Sequence, residues 1–391
     1  MATLLGTWEL GQGYGHIAHL APVAAALNAR GHRMAVAARN PATADAVPGA
    51  PFAGVIEPPI YHPAARQPET INYAQVIGDG GFADLPAMRL MVRRWLEIFE
   101  AVKPTAIVAE HAPVSLLAAH VAGLPAAMLG AGFLVPPAQQ PLPSLMPWKG
   151  HDDAALLAAG AAADASVQAI CVEFGAPMLD SVATLLARGP AYLTTWPEVD
   201  PYGPRTGVTY YGTMNGFRVS ARAAWPAGDG PRAFVYFPFA HPAAGALIEA
   251  LAQLGWPVLW HSVGAEAPPL PPNIIHSPQP LDMPATLGEA ALLISRGGHA
   301  TSCEAILAGT PNLVLPDSLD TVLIGRKLTA NRLGGATVQR DGLGIAAAIE
   351  AMMSDAAIAA GVAAAATRYV PYRGERAAAQ LAAQIVADFA L

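Results

Sequence analysis

A short glycine-containing segment, Arg296-Gly297-Gly298, joins an apolar run to a helical pattern that begins near Thr301 and Ser302. A helix N-terminus offers free N–H groups and about half a positive charge, which together attract anions. Glycines let a ligand approach the backbone closely, and arginine adds a planar fork of donors that suits phosphate. We therefore predict that this segment holds a diphosphate, with the hydroxyls of Thr301 and Ser302 as further donors.

The elements around this segment are predicted from its flanking patterns. The apolar run 291–294 predicts a buried parallel strand before the glycines. The helix is expected to stop at Gly309-Thr310-Pro311, because a glycine followed by a proline is a common helix end. A second apolar run, 312–315, predicts the next strand. The resulting order of strand, glycine turn, helix and strand is the order that a phosphate-binding unit requires.

A second glycine-rich turn, 11–16, lies near the start of the chain. It follows a predicted strand at 2–8 and precedes a predicted helix at 17–30 and a strand at 34–38, which makes a βαβ unit. A dinucleotide fingerprint is one interpretation of this turn. However, His16 occupies the third glycine position, and the second strand ends without an acidic residue for an NAD ribose. The pattern therefore argues against an NAD(P)-dependent dehydrogenase.

The first segment resembles the donor-sugar signature of the family 1 glycosyltransferases, which use UDP- or dTDP-sugars. In that signature a histidine precedes the glycines, a glutamate follows it eight residues later, and an Asp-Gln pair follows sixteen residues after the glutamate. Arg296 holds the histidine position, Thr301 the phosphate hydroxyl, Glu304 the glutamate and Asp320 the aspartate. The resemblance implies that Glu304 binds the ribose and Asp320 the sugar. The chain departs from the signature at Arg296 and at Thr321, which replaces the glutamine.

The first glycine-rich turn resembles the same family. Gly15-His16, Pro22 and Arg30-Gly31-His32 match the family's Gly-His pair, its later proline and its Arg-Gly-His helix end. The resemblance implies that His16 is the catalytic base, and a neutral imidazole can accept a proton from a hydroxyl near pH 7. The alternative is that His16 only caps or packs the turn.

A carboxylate is expected to orient the base, because the family has an aspartate at the end of a later strand. Glu110 follows the predicted strand 105–109 and stands at that position, where it would act as the acid of a catalytic triad does. The alternatives are that Glu110 is a solvated loop residue or that the adjacent His111 takes its place. His19 is interpreted as a residue that contacts the acceptor or has a structural role.

Other candidate ligand contacts lie in loops. The loop 238–242 carries His241, which either donates to a phosphate or sugar or caps the following helix. The residues 276–279 resemble the family's Trp-x-Pro-Gln motif, with histidine in place of the stacking Trp, so Ser277 and Gln279 are candidates for binding the base. Phe133 and Trp148 lie in a stretch rich in Pro and Gly that we interpret as an acceptor-side loop.

The chain has 391 residues, which is too long for one ordinary core and predicts two domains. The resemblance implies an α/β, GT-B fold, in which two Rossmann-like doubly wound domains face a central cleft. The predicted parts are an acceptor-binding domain at 1–215, an interdomain linker at 216–230, a nucleotide-sugar-binding domain at 231–370, and a C-terminal helix at 371–391 that packs back on the first domain.

Composition excludes several other classes. The net charge of −7 and the absence of basic runs argue against nucleic-acid binding. Apolar runs such as 154–163 are shorter than the roughly 18–20 residues of a membrane span, and the first residues lack the basic region of a secretory signal. Two cysteines suit a reduced, cytoplasmic setting. The excess of Ala and of Arg over Lys indicates a GC-rich bacterial source.

The resemblance implies an inverting glycosyltransferase that moves a hexose or deoxyhexose from a UDP- or dTDP-sugar to a hydroxyl of a small hydrophobic acceptor, as in secondary metabolism. It implies no metal and no cofactor beyond this nucleotide-sugar co-substrate. The alternatives are a lipid-acceptor transferase or a sugar-nucleotide epimerase of the same fold, and a catalytically inactive nucleotide-binding homologue. The oligomeric state is open, and a homodimer is one of the options.

Overall fold

The computed structural model describes residues 1–63, 69–214, 221–262, 266–372 and 376–391. The chain forms two compact units. The first comprises Met1–Pro197, Tyr202–Phe217 and Gly374–Leu391, and the second comprises Glu198–Pro201 and Arg218–Arg373. The expected linker at 216–230 is therefore assigned mostly to the second unit, and its residues 216–220 lie outside the described residues.

The first unit is built on a six-stranded parallel sheet with the order β3-β2-β1-β4-β5-β6. Its strands are β1 Thr3–Trp8, β2 Arg33–Ala38, β3 Val55–Ile56, β4 Ala106–Glu110, β5 Ala126–Gly130 and β6 Ala191–Leu193. Its helices are α1 Gly15–Asn28, α2 Pro41–Asp45, α3 Tyr73–Ile77, α4 Leu85–Val102, α5 Pro113–Val121, α6 Asp153–Phe174 and α7 Val182–Leu186. β1 is apolar along most of its length because helices cover both faces of a parallel sheet.

The second unit repeats this plan, with the strand order β12-β11-β10-β7-β8-β9 and parallel pairing throughout. Its strands are β7 Ala233–Tyr236, β8 Val258–His261, β9 Ile274–Ser277, β10 Leu292–Ser295, β11 Asn312–Val314 and β12 Gly334–Ala336. Its helices are α8 Ala244–Leu254, α9 Met283–Glu289, α10 His299–Ala308, α11 Leu319–Ala330, α12 Gly342–Met353 and α13 Ala356–Tyr369. The predicted strand, glycine turn, helix and strand are thus present as β10, α10 and β11.

The last helix, α14 Arg376–Asp388, packs on α1 and belongs to the first unit. Its buried face contributes small and branched apolar residues to the core that α1 shares with β1 and β2. The hydroxyl of Tyr192, at β6, donates to the carboxylate of Asp388 at 2.7 Å. The contact ties the end of the chain to the sheet of the first unit.

One helix of the first unit is both long and apolar. α6 spans 22 residues with a mean hydropathy of 1.6 in its most apolar window, of which 39% is buried. By length and composition alone, α6 could cross a membrane, and the bent pair α12 and α13 passes the same test together. Core helices of water-soluble proteins also meet this criterion, and Val167, Ile170 and Cys171 of α6 lie in the hydrophobic core.

Candidate functional site

A histidine and a glutamate meet at the carboxyl end of the first sheet. β1 and β4 are adjacent and parallel, so the loop after β1 and the last residue of β4 reach the same edge. His16 is the second residue of α1, and Glu110 ends β4. The Nδ1 atom of His16 lies 2.7 Å from Oε2 of Glu110, as expected from the resemblance to a base and its carboxylate partner.

Glu110 contacts a second histidine as well. Nδ1 of His19 lies 3.2 Å from Oε1 of Glu110, and the hydroxyl of Thr194 lies 3.5 Å from the same Nδ1. His16 and His19 are three residues apart on α1, so both side chains project from the same face of the helix. His19 is therefore the second partner of Glu110, and its predicted contact with the acceptor stays a prediction.

The carboxylate of Glu110 is completely buried. Burial by itself raises the pKa of Glu110, but the attraction of His16 and the hydrogen bonds from both histidines outweigh it and lower the pKa to about 2. An ionised Glu110 accepts hydrogen bonds from both Nδ1–H groups. With Nδ1–H bonded to Glu110, a neutral imidazole at this position has its lone pair on Nε2, the atom that can accept a proton.

The ring of His16 packs against two other rings. It stacks on Trp8 with a centroid distance of 5.0 Å and on His111 with a distance of 5.9 Å. The backbone of Gly11 lies against its edge, and a Cβ atom built at Gly11 would be 2.2 Å from Nε2 of His16. Gly11 also has a φ of 84°, a conformation that favours glycine. Gly11 is therefore required by the site, and the glycine-rich turn was the only sequence signal for it.

His111 does not replace Glu110 as the partner of His16. Neither of its ring nitrogens has a hydrogen-bond partner within the part of the chain that the structure describes. Burial and the neighbouring His16 lower the pKa of His111 to about 3, which keeps the ring neutral. Its backbone adopts a φ of 48°, which is uncommon for a residue other than glycine. The alternative with His111 as the orienting residue is therefore not supported by the geometry.

The two aromatic residues predicted at the acceptor side lie in loops of the first unit. Phe133 is half-buried in the turn after β5, and Trp148 is 42% exposed in a single helical turn at Pro147–Lys149. Neither side chain belongs to the histidine–glutamate cluster formed by His16, His19 and Glu110. Their role in acceptor binding remains a proposal.

The predicted diphosphate segment of the second unit lies at the N-terminus of α10. The N-cap residue of the helix is Gly298, which has no side chain to cap the first N–H groups. Gly297 has a φ of 90°, and a Cβ atom there would be 2.6 Å from Val314 of β11. The turn is further fixed by Ser295, whose hydroxyl accepts the N–H of Gly297 at 3.1 Å. The conformation of the turn before α10 is therefore fixed by close packing and by a hydrogen bond.

Thr301 and Ser302 have different environments, although both were predicted as phosphate donors. Ser302 is fully buried, and its hydroxyl donates to the Gly298 carbonyl at 3.0 Å and accepts a hydrogen bond from Asn312 at 3.0 Å. Both contacts lie within the protein, so Ser302 stabilises the turn. Thr301 is half-buried in the first turn of α10, and Glu304 is half-buried on the second turn.

Arg296 is paired with an acidic residue that sequence reasoning had not singled out. Its Nε lies 2.7 Å from Oδ2 of Asp317, and its terminal nitrogen donates to Oδ1 at 2.9 Å. Burial tends to raise the pKa of Asp317, but the bond and charge of Arg296 lower it. The signal that could have found Asp317 is its position just after β11, the strand next to β10.

His241 makes a hydrogen bond within its own loop, and its predicted donation to a phosphate or sugar stays a prediction. Its Nδ1 accepts the N–H of Ala243 at 3.0 Å, so the neutral ring carries its proton on Nε2. Nε2 lies 3.5 Å from Oδ2 of Asp317 and has no hydrogen-bond partner among the described residues. Burial is the main cause of the lowered pKa of His241. The ring therefore caps its loop, and its Nε2 lies near the Asp317 carboxylate without forming a hydrogen bond to it.

The predicted base-binding residues lie at the end of β9. The Ser277 hydroxyl donates to the Gln279 carbonyl at 3.0 Å, and Gln279 is exposed. The edge of His276, which stands where the family has tryptophan, packs against Phe239 with a centroid distance of 5.0 Å. Phe239 in turn stacks on Trp260 at 4.9 Å. Aromatic surface is therefore present beside this segment.

The remaining predicted sugar contact, Asp320, is exposed on the first turn of α11. Thr321, in place of the family's glutamine, is buried, and its hydroxyl accepts the N–H groups of Asp317 and Ser318 at 3.2 and 3.1 Å. The side chain of Thr321, which replaces the glutamine, therefore has a structural role in this loop. Among the residues described, no three His, Cys, Asp or Glu side chains are grouped so that they could hold a metal ion.

Comparison with known proteins gives a result at the level of structure. No protein-family model and no curated protein sequence matches the chain. Among solved structures, CalG4, the calicheamicin glycosyltransferase, is 20% identical with a TM-score of 0.73, over 99% of this chain and 98% of CalG4. The glycosyltransferase VinC in complex with DTDP is 14% identical with a TM-score of 0.68, over 98% of this chain and 99% of VinC.

A third structure, the spinosyn rhamnosyltransferase SpnG complexed with spinosyn aglycone, is 18% identical with a TM-score of 0.67. The alignment covers 97% of this chain and 99% of SpnG. These matches extend over both six-stranded parallel sheets and their flanking helices. The predicted fold class is confirmed, and the chain has the two-domain α/β GT-B fold of the family 1 glycosyltransferases that its motifs resemble.

Proposed function

We propose that this protein is an inverting glycosyltransferase that moves a hexose or deoxyhexose from a UDP- or dTDP-sugar to a hydroxyl of a small hydrophobic acceptor. The observation that carries this proposal is the contact between His16 and the buried, ionised Glu110. A structural histidine has no need of a buried anion, which is costly to place in a protein interior. A base that becomes positively charged during a reaction does need one.

The first unit supplies the acceptor chemistry in this proposal. Nε2 of His16 accepts the proton of the acceptor hydroxyl, and the oxygen attacks the anomeric carbon of the sugar. The bond from that carbon to the diphosphate breaks, its electron pair leaves with the diphosphate, and the configuration inverts. Glu110 stabilises the imidazolium that forms on His16, as the acid of a catalytic triad does.

The second unit supplies the donor chemistry. The N–H groups at the start of α10 and the hydroxyl of Thr301 bind the diphosphate and stabilise the charge that develops when it leaves. Arg296 adds a cation at the same loop. Glu304 is proposed to bind the ribose and Asp320 the sugar, as the motif resemblance implies. Ser277, Gln279 and the nearby aromatic surface are proposed to bind the base.

The structural neighbours support the two kinds of ligand in this proposal by analogy of fold. VinC was solved with DTDP, and SpnG was solved with spinosyn aglycone. These ligands belong to those proteins. For this chain they favour a nucleotide-sugar donor and a small-molecule acceptor, and they leave UDP and dTDP as alternatives for the donor.

The test is an assay of purified protein with UDP- and dTDP-sugars and a panel of phenolic, polyketide and lipid alcohols. We expect transfer to one class of acceptor and a loss of about 100- to 10,000-fold in kcat for His16→Ala, the range typical of a general base. The dissociation constant for the nucleoside diphosphate should stay unchanged. His32→Ala, beyond the other end of α1, is the matched control and should retain activity.

The assay also separates the alternatives. Conversion of one UDP-sugar into its epimer without an acceptor would replace the proposal by an epimerase. Transfer to long-chain lipid alcohols alone would indicate a lipid-acceptor enzyme. Binding of UDP or dTDP with no transfer and no donor hydrolysis would indicate the inactive homologue, an alternative that the pairing of Arg296 with Asp317 keeps open.

A further inference from the structure

The carboxylate of Asp317 occupies a position at which two donors of the second unit converge. Arg296 binds both of its oxygens, through Nε at 2.7 Å and a terminal nitrogen at 2.9 Å. The Nε2 of His241 lies 3.5 Å from Oδ2, the same oxygen that Arg296 Nε binds. The carboxylate of Asp317 is therefore held beside Arg296, which lies in the loop that leads into α10.

The side chain of His241 is 4% exposed, and its Nε2–H has no hydrogen-bond partner in the described parts of the chain. A buried donor without a partner costs about 1–3 kcal/mol. The ring cannot turn to solve this, because Nδ1 already accepts the N–H of Ala243. We therefore expect this N–H to donate to a ligand atom that lies closer to it than Asp317 does.

The charges around this point are unusual for a site that binds a diphosphate. Arg296 and Asp317 cancel each other, so the guanidinium offers little net attraction to a second anion. The exposed Arg340 donates to the Pro316 carbonyl at 3.2 Å, next to Asp317 in the chain. A phosphate that approaches Arg296 thus meets the carboxylate of Asp317, which already accepts hydrogen bonds from the guanidinium.

We propose that Asp317 competes with the donor diphosphate for Arg296 and His241 and thereby weakens donor binding. This inference rests on the proposed function for the location of the diphosphate. Binding then exchanges one anion for another: the carboxylate of Asp317 gives up the guanidinium fork, and phosphate oxygens take it together with the N–H of His241. Asp317 is thus a specificity-determining residue that admits ligands with enough charge to displace it.

Asp317 and Arg296 are 21 residues apart in sequence and meet because β10 and β11 are adjacent. The backbone N–H of Asp317 donates to the Thr321 hydroxyl, which fixes the base of the loop. Replacement of the carboxylate by an amide therefore removes the charge and leaves the backbone anchor in place. Asp317→Asn is consequently a mild test of the proposal.

The experiment measures the binding of pyrophosphate, UDP and dTDP to wild type and Asp317→Asn by calorimetry at low salt. We expect all three to bind at least about tenfold more tightly to the variant, because a like charge beside the ligand is removed. Glu350→Gln, which removes an exposed carboxylate on α12, is the matched control and should leave the affinities unchanged. Equal or weaker binding to Asp317→Asn would overturn the proposal.

A double-mutant cycle gives the second readout. If Asp317 neutralises Arg296, Arg296→Gln should weaken pyrophosphate binding little in the wild-type background and at least about tenfold more in the Asp317→Asn background. Equal effects in both backgrounds would contradict the competition. If the effect of Arg296→Gln on pyrophosphate binding differs between the two backgrounds while neither UDP nor dTDP binds, Asp317 still weakens binding at an anion site. The proposed nucleotide donor is then wrong.

Discussion

The Nδ1 atom of His16 lies 2.7 Å from Oε2 of Glu110, although 94 residues separate them in the sequence. The contact exists because β1 and β4 are neighbours in the sheet and both elements end at the same edge. Nothing local to either residue requires it. An imidazole oriented by a buried carboxylate is the arrangement that general-base chemistry needs.

The first prediction concerns the charge of Glu110. In Glu110→Gln the amide cannot stabilise the imidazolium that forms on His16, and its nitrogen can hold the ring in the wrong tautomer. We expect kcat for sugar transfer to fall by about 100- to 10,000-fold, measured by steady-state kinetics with the acceptor found in the screen. Binding of UDP or dTDP, measured by calorimetry, should not change. A variant with near-normal kcat would exclude a catalytic function for this pair.

The second prediction concerns His19, which we expect to position Glu110 rather than to touch the acceptor. His19→Leu removes one hydrogen bond to the carboxylate, so kcat should fall by about tenfold while KM for the acceptor stays within a factor of two or so of wild type. His19→Asn keeps an N–H donor near the position of Nδ1 and should restore part of the loss. A rise in KM with unchanged kcat would instead show that His19 binds the acceptor.

The third prediction uses the buried His111. Burial lowers its pKa from 6.5 to about 3, so between these values the unfolded chain binds a proton that the folded chain does not. The stability from this group is present above pH 6.5 and is lost as pH falls toward 3, by about 1.4 kcal/mol per pH unit. His111→Asn keeps a residue that tolerates a positive φ. The free energy of unfolding of this variant should therefore fall by about 2 kcal/mol less than that of wild type between pH 7.5 and 5.

The measurement for His111 is urea unfolding at both pH values, with the difference between them as the readout. Any loss of ring packing in the variant lowers stability at both values and cancels in that difference. Ala50→Asn, an exposed site with a φ of 40° and no titrating side chain, is the control. The same acid sensitivity in His111→Asn and wild type would mean that His111 is not kept neutral by the fold.

The fourth prediction separates the two hydroxyls of α10. Thr301→Ala should weaken the binding of UDP or dTDP by about 10- to 100-fold, the cost of one hydrogen bond to a charged group, with little change in the free energy of unfolding. Ser302→Ala should do the reverse, because it leaves Asn312 without its acceptor and costs about 1–3 kcal/mol of stability. Calorimetry and urea unfolding measure the two effects. Equal losses of affinity would mean that Ser302 contacts the ligand after all.

Much of the architecture could be predicted from local patterns. Apolar runs, glycine turns and helix stops indicated the two repeats of strand, turn and helix around His16 and Arg296, and both are present. The boundaries shifted by a few residues, as for α1, which was predicted at 17–30 and spans Gly15–Asn28. Periodicity depends on short-range backbone geometry, whereas the exact ends depend on capping and packing.

The sequence by itself determined which residue types stand at the ends of the strands: histidine and glutamate in one unit, arginine, glycine and threonine in the other. Only the tertiary structure decided which of them interact. It selected Glu110 over His111 as the partner of His16, turned Ser302 into the core and placed Asp317 against Arg296. The physical reason is that these choices depend on strand order and on the packing of each side chain, and both are set by contacts between residues distant in the sequence.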